Sequence, residues 1–175
     1  MHLSFPYSKK GYLHLLKYVL QDISPSSVDN ISAIKVNPYL DLTGRGVLIG
    51  MVDTGIDYLN EEFIREDDTS KVVSIWDQTI QDNSDSKVYI GRTYSVDQIN
   101  NAIKAYRNHQ DPYAIVPSRD EEGHGTKMAG IIGARGSNRE IQGVASGCEF
   151  VIVKLFESIN FKKELEANNI PYTPV

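Results

Sequence analysis

The chain has 175 residues, of which 41% are hydrophobic and 23% are charged, a composition typical of a globular domain with an apolar core. The 18 basic and 23 acidic side chains give a net charge of −5 and are interspersed, which argues against a nucleic-acid partner. One cysteine, Cys148, excludes an internal disulfide and indicates a reducing compartment, and no apolar run is long enough to cross a membrane.

The first 46 residues predict two short helices and a turn before the first strand. Apolar side chains recur at helical spacing over residues 9–22, and a second short helix is predicted over residues 27–36. A turn is predicted in the segment NPYLDLTGRG, residues 37–46. The apolar run VLIGMVD, residues 47–53, then predicts a central parallel strand that is buried on both faces.

The middle of the chain predicts two more strands and a helix. KVVSIWD (71–77) and KVYIGRTY (87–94) read as strands or as a hairpin. Ser95 and Gln98 form a predicted capping box for a helix that carries Ile99, Ile103 and Tyr106 on one face.

The last part of the chain predicts a helix and a buried strand. The helix begins at His124, and Ala129, Gly130 and Gly133 are expected to let it pack closely on the sheet. The strand lies within EFVIVKLF, residues 149–156. Strands alternate with helices along the chain, which predicts an α/β fold with a mainly parallel sheet and helices on both faces. In such sheets, functional groups gather at the carboxyl ends of the strands, where Asp53 is placed.

Asp53 and His124 are the candidate catalytic residues. Asp53 follows a buried strand and precedes the small pair Thr54-Gly55, which predicts tight backbone geometry around a carboxylate. His124 stands between two glycines that let other backbone approach the ring. A carboxylate that accepts the Nδ1 proton of a histidine leaves Nε2 free to take a proton from a nucleophile. The other histidines, His2, His14 and His109, lack such surroundings.

Three segments in this order carry a family resemblance: GVLIGMVDTGID, EEGHGTKMAG and GVASGCEFVIVKL. They resemble the first half of a subtilisin-like (subtilase, S8) serine protease domain over roughly residues 26–156. The resemblance implies that Asp53, in D-T-G, and His124, in H-G-T, are two members of an Asp-His-Ser triad. It also implies that residues 26–175 are the N-terminal part of a catalytic domain and that residues 1–25 are an N-terminal segment, interpreted as the remnant of a propeptide.

The segment between the two candidate residues narrows the resemblance. SIWDQTI, YSVDQINNAI and DPYAIVPSRDEEGHGT are similar to the Csp-type germination proteases of spore-forming anaerobic bacteria. That family implies limited proteolysis of a spore-cortex-lytic zymogen as the protein substrate, with a propeptide as a further partner. Because no signal peptide is visible, we expect an intracellular or spore-associated protein without a nucleic-acid or membrane partner.

The nucleophile motif of the family, G-T-S-x-A, does not occur in this chain. The resemblance therefore implies that this part is inactive alone, since acyl-enzyme chemistry needs the serine. Two alternatives stay open: a pseudoprotease or sensing module with the same fold, and an aspartic protease, because V-D-T-G also resembles the triplet of that class. A single such triplet would require a dimer, and GHGTK has no place in an aspartic protease.

No cofactor is predicted, although the resemblance implies calcium as an alternative. Many subtilases bind calcium with the loop after the histidine helix, here GSNREIQ, together with an acid equivalent to Glu62. Calcium requires six to eight oxygen ligands, whereas this loop offers chiefly Ser137, Asn138 and carbonyl groups. An ordinary surface turn is therefore the favoured interpretation.

Overall fold

The computed structural model describes residues 42–81, 87–138, 141–156 and 159–171. Its strands form one sheet, in the order β1-β4-β2-β3, from β1 (Leu48–Asp53), β2 (Val72–Asp77), β3 (Arg92–Ser95) and β4 (Glu149–Lys154). The α-helices are α1 (Val96–Arg107), α2 (His124–Gly133) and α3 (Ile159–Ala167). The helices predicted over residues 9–22 and 27–36 and the N-terminal segment 1–25 lie outside the described residues.

The sheet is mainly parallel, as the alternating pattern predicted. β4 pairs in parallel with β1 on one side and with β2 on the other, and β3 is antiparallel to β2. The register aligns Asp53 of β1 with Lys154 of β4 and Lys154 with Asp77 of β2. Three charged side chains therefore stand next to one another at the carboxyl edge of the sheet.

β1 is an edge strand of the described sheet, so the prediction of a central strand buried on both faces was wrong for this part of the chain. Leu48 and Val52 are 57% and 63% exposed, whereas Met51, on the opposite face, is 7% exposed. The physical reason is that α2 covers only the face that carries Met51. Among the described helices, none packs closely on the face that carries Leu48 and Val52.

β2 and β3 form the predicted antiparallel pair, but β3 is shorter than its sequence pattern indicated. Residues 87–91 are not a strand, and β3 begins only at Arg92. Gly91 has a φ of +74°, and a Cβ at this position would clash with the carbonyl of Asp77. This left-handed glycine ends the extended conformation and lets the chain turn tightly against the end of β2. Trp76 holds the turn by donating from Nε1 to the Ile90 carbonyl at 2.8 Å.

α1 begins at the predicted capping box and packs by the predicted apolar face. The Gln98 side chain accepts a hydrogen bond from the Ser95 backbone N–H at 3.0 Å. Ile99 and Ile103 are completely buried, and Tyr106, in the last turn, is 46% exposed. The first two turns therefore anchor the helix on β2 and β3, while its C-terminal end reaches the surface.

α2 approaches the sheet closely because Gly133 has no side chain. A Cβ on Gly133 would lie 2.5 Å from the Cys148 Sγ and 2.7 Å from the Phe150 Cζ. Ala129 is completely buried, as predicted, but a Cβ on Gly130 would meet no atom within 4 Å. The prediction that Gly130 is needed for close packing was therefore wrong. In the part of the chain that the structure describes, no helix is long and apolar enough to cross a membrane.

Candidate active site

Asp53 is the last residue of β1 and places its carboxylate at the carboxyl edge of the sheet. Its Oδ1 accepts the backbone N–H of Thr54 at 2.7 Å, which fixes the orientation of the carboxylate where the strand turns. The Asp53 side chain is only 16% exposed. A carboxylate with so little access to water interacts more strongly with a polar neighbour than a surface aspartate does.

His124 is the first residue of α2, and its ring meets Asp53 directly. Nδ1 of His124 lies 2.6 Å from Oδ1 of Asp53, across a separation of 71 residues in the sequence. The His124 side chain is 26% exposed, so the ring contacts the carboxylate without being enclosed. The structure thus brings together the two residues that the sequence singled out, and their catalytic role stays a prediction.

Glycines on both sides of His124 serve two different purposes. Gly125 permits close approach, because a Cβ there would clash with the Gly55 carbonyl and lie 3.2 Å from the Asp53 Cβ. Gly123 has open space around its Cα, but its φ is +77°, a conformation that side chains other than glycine rarely adopt. Gly123 therefore turns the chain into the helix, and Gly125 lets the helix start reach the end of β1.

Asp120 is a structural centre of this site that the sequence reasoning did not single out. Its Oδ1 accepts the Thr54 hydroxyl at 2.8 Å and the Gly123 N–H at 2.9 Å. Its Oδ2 accepts the N–H of Thr126 at 2.8 Å and the Thr126 hydroxyl at 2.5 Å. One carboxylate thus receives four hydrogen bonds that link the turn after β1 to the first turn of α2. We call Asp120, Thr54 and Thr126 the threonine clamp.

The threonine clamp extends into both backbones that carry the candidate catalytic pair. The Thr54 hydroxyl oxygen accepts the Gly125 N–H at 3.0 Å, and the Thr126 hydroxyl oxygen accepts the Asp57 N–H at 2.9 Å. These bonds cross between the two segments next to Asp53 and next to His124. The signal in the sequence was an aspartate before the glycine-flanked histidine, with a threonine after each candidate residue. This pattern predicts the clamp only when residues 66 or more positions apart in the sequence are known to be in contact.

Replacing Asp120 by asparagine is expected to lower the free energy of unfolding by about 1–3 kcal/mol near neutral pH. Asparagine keeps one acceptor oxygen, but its NH₂ group cannot accept the hydrogen bonds that the other carboxylate oxygen receives. The donors that remain bound also lose a charged acceptor. Chemical denaturation of Asp120→Asn measures the effect. Asp97→Asn, an exposed aspartate in the first turn of α1, is the matched control and should cost a few tenths of a kcal/mol. Equal losses in the two variants would contradict the clamp.

The stabilisation by Asp120 should depend on pH in a defined direction. Burial opposes ionisation of this carboxyl, but hydrogen bonds from Thr126, Thr54 and Gly123 outweigh burial and lower its pKa. Because the folded-state pKa is lower than the unfolded value of about 3.9, the stabilisation is complete above that value. It is lost as the pH falls through the folded-state pKa. The stability difference between the wild type and Asp120→Asn should therefore shrink as the pH is lowered below about 4.

Lys154 holds the loop that precedes His124 against the carboxyl edge of the sheet. Its Nζ donates to the Arg119 carbonyl and to Glu121 Oε2, both at 2.6 Å. Its side chain is 9% exposed, whereas that of Glu121 is 66% exposed. The hydrogen bond from Lys154 to the Arg119 carbonyl is therefore largely shielded from water. It positions the loop from which Asp120 reaches the clamp.

Glu62 does meet the loop after α2, as the calcium alternative required, but in a geometry that does not fit a cation. Its carboxylate accepts N–H groups from Gly136, Ser137 and Asn138 at 2.6–3.2 Å, and it also accepts the Ser137 hydroxyl. Burial opposes ionisation of Glu62, and these hydrogen bonds outweigh it and lower the pKa. The loop therefore turns N–H donors, rather than oxygen ligands, toward the acid. Residues 139 and 140 lie outside the described residues.

The remaining candidates lie apart from this site. His109 follows α1 in a turn with a φ of +57°. His2 and His14 lie outside the described residues. Glu61 and Asp68 both pair with Arg107, at 2.6 and 3.1 Å. The described residues contain no group of three or more His, Cys, Asp or Glu side chains arranged to hold a metal ion.

Comparisons with known proteins agree on one family. The family model described as the subtilase family matches residues 44–173. A PII-type proteinase of Lacticaseibacillus paracasei is 27% identical over 143 residues, which are 79% of this chain and 7% of that protein. The CspB protease of Clostridium perfringens superposes with a TM-score of 0.61 at 31% identity, over 79% of this chain and 30% of that chain. The chain thus spans less than a third of either relative.

Proposed function

Because this chain belongs to the subtilase family, we propose that it supplies two of the three catalytic residues of a serine endopeptidase. Asp53 orients His124, and His124 is the general base. The nucleophile is a serine that this chain does not contain in the family's G-T-S-x-A motif. The substrate is a protein, and the reaction is hydrolysis of a peptide bond through an acyl-enzyme intermediate.

A single observation carries this proposal: the 2.6 Å contact between His124 Nδ1 and Asp53 Oδ1. It joins the carboxyl end of a parallel strand to the first residue of a helix. The carboxyl edge of a parallel sheet is the usual place for catalytic groups in α/β folds. Because the ring is partly exposed, a reactant can reach His124. A histidine with a purely structural role would not need this access.

The chemistry follows from the direction of this contact. When Asp53 accepts the Nδ1 proton, the ring is held in the tautomer whose Nε2 carries a lone pair. Nε2 then takes the proton of the serine hydroxyl as the oxygen attacks the scissile carbonyl carbon. The proton is next delivered to the leaving amine, which departs as the acyl-enzyme forms. The carboxylate of Asp53 stabilises the imidazolium that exists between these two transfers, and its own charge does not change.

The resemblance to Csp-type proteases supports a narrower assignment of the substrate. We propose limited proteolysis of a spore-germination zymogen in a spore-associated or intracellular setting, with a propeptide as a second partner. The structural similarity to the CspB protease supports this choice. No cofactor is assigned, because Asp53 and His124 complete the base by themselves. Residues 1–25 remain assigned to an N-terminal segment distinct from the catalytic domain.

Labelling with a fluorophosphonate probe tests the proposal. The probe phosphonylates a serine only when a working base activates it, so the complete protein that contains this chain should be labelled in the wild type. The 175-residue chain alone should not be labelled, since it lacks the nucleophile motif. An unlabelled complete protein would favour the alternative, a pseudoprotease with a sensing role. Pepstatin inhibition without fluorophosphonate labelling would instead favour the aspartic protease alternative.

A further inference from the structure

A cavity of about 410 Å³ opens at the amino edge of the sheet. Its lining comes from the segments just before β1, β2 and β4, together with the residues that follow α2 and the side chain of Arg65. The candidate active site lies at the opposite, carboxyl edge of the same strands. Six residues of strand separate the two edges by roughly 17 Å, so the cavity is a different site from the one that contains Asp53 and His124.

The cavity is strongly basic in a chain with a net charge of −5. Four cationic side chains line it, namely Arg45, Arg65, Lys71 and Arg135, against one acidic side chain, Glu149. That acid is already engaged, because its Oε1 lies 2.5 Å from Arg65 Nη2. Within the lining, Arg45, Lys71 and Arg135 therefore have no carboxylate of their own. Cationic side chains that line one cavity repel one another unless an anion binds between them.

Lys71 is the most buried of these cations and is bound only by neutral groups. Its residue is 3% exposed, and its Nζ donates to the Ser146 carbonyl at 2.7 Å and to the Gly133 carbonyl. Burial lowers the pKa of this ammonium group; Cys148 and Glu62 oppose the shift, whereas the neighbouring Arg65 and Arg135 add to it. A buried charge is costly unless a counter-charge compensates it. Two carbonyl dipoles supply only part of that compensation.

Arg135 adds an independent observation, a guanidinium donor that no group of the described protein accepts. Its Nε is buried and has no hydrogen-bond partner. Buried polar groups in folded proteins nearly always have a partner, and an unpartnered guanidinium N–H is among the more costly exceptions. A planar guanidinium donates along two parallel N–H directions, which match the oxygen spacing of phosphate or carboxylate groups.

We propose that this cavity binds a small oxyanion with two or more negative charges, held chiefly by Arg135 and Lys71 and closed off by Arg45. Such a ligand supplies a counter-charge next to Lys71 and an acceptor for the Arg135 guanidinium. Three cations without a carboxylate partner in the lining favour a multivalent anion over chloride. The site is independent of the proposed protease activity, because none of its residues belongs to the threonine clamp or to the Asp53–His124 pair.

Thermal unfolding of the purified protein in sodium phosphate and in sodium chloride of equal ionic strength tests this proposal. At a phosphate concentration about a hundredfold above its Kd, the Tm of the wild type should rise by roughly 5 °C or more relative to chloride. Phosphate also stabilises proteins generally by exclusion from their surface, so the comparison of variants is decisive. A parallel series in succinate distinguishes a phosphate-type ligand from a dicarboxylate.

Arg135→Gln should lose at least half of the phosphate-dependent rise in Tm, and so should Arg45→Gln. Lys104→Gln removes the same charge from an exposed position on α1 and should keep the whole rise. Arg135→Gln should be at least as stable as the wild type in chloride, because it relieves repulsion around Lys71. Arg45→Gln, at an exposed position, provides the same test if Arg135→Gln does not fold. An equal rise in all variants, or none in the wild type, would overturn the proposal.

Discussion

Replacing His124 by alanine is expected to reduce kcat for peptide-bond hydrolysis by at least about 10⁴-fold in the complete protein that carries the nucleophile. Without the imidazole, no group near Asp53 can take the serine proton as the carbonyl is attacked. KM should change little, because His124 acts on the transition state more than on the bound ground state. Initial rates on a protein substrate, together with fluorophosphonate labelling, measure the loss.

Asp53→Asn is the companion variant, and it distinguishes orientation of the base from the base itself. The asparagine amide presents an N–H₂ donor or a weaker acceptor to Nδ1, so the ring loses the fixed tautomer that the 2.6 Å contact enforces. A reduction of about 10⁴-fold in kcat is expected, while the fold is retained. The double variant should be scarcely worse than either single one, because the two residues act as a unit. Wild-type rates in either variant would refute their assignment.

Replacing Gly125 by alanine is expected to damage the site without removing any functional group. The new methyl would clash with the Gly55 carbonyl and lie 3.2 Å from the Asp53 Cβ, and backbone cannot move aside as a flexible side chain could. The first turn of α2 must therefore shift away from the end of β1. We expect a loss of about 1–3 kcal/mol in the free energy of unfolding. A displacement of about 1 Å at the catalytic pair would also reduce kcat about 10²-fold.

Gly130→Ala is a matched control for Gly125→Ala on the same helix. A Cβ on Gly130 meets no atom within 4 Å, so the only effect expected is the higher helix propensity of alanine. That change should stabilise the protein by about 0.5–1 kcal/mol and leave the rate unaltered. Urea unfolding and initial rates measured on both variants provide the comparison. If Gly125→Ala behaved like Gly130→Ala, close approach of α2 to β1 would not be required for the site.

The candidate pair could be predicted from the sequence because each residue lies in a short local pattern. Asp53 ends an apolar run of strand length, and His124 begins a helix between two glycines. Their order and context also carry the family resemblance, which the family match supports. The distance between the two side chains could not be predicted from these local patterns. It depends on β1 and α2 meeting at one edge of the sheet, for which the sequence supplied an expectation and the structure supplied the 2.6 Å contact.

The threonine clamp and the basic cavity could not be predicted in the same way. Asp120 is one acid in a run of three, and nothing local distinguishes the carboxylate that receives four hydrogen bonds from its exposed neighbours. Lys71, Arg65 and Arg135 are likewise separate in the chain and meet only because three strand beginnings lie side by side. Both features consist of contacts between distant segments.

By itself, the sequence determined the α/β class, the positions of β2, β4, α1 and α2, and the identity of the two candidate residues. These features follow from hydrophobic period, capping residues and short motifs, which depend on neighbours in the chain. Only the tertiary structure decided that β1 is an edge strand with Leu48 and Val52 exposed, and that Gly91 shortens β3. An apolar run indicates that a strand can be buried. Strand order and helix placement decide which face of that strand is covered.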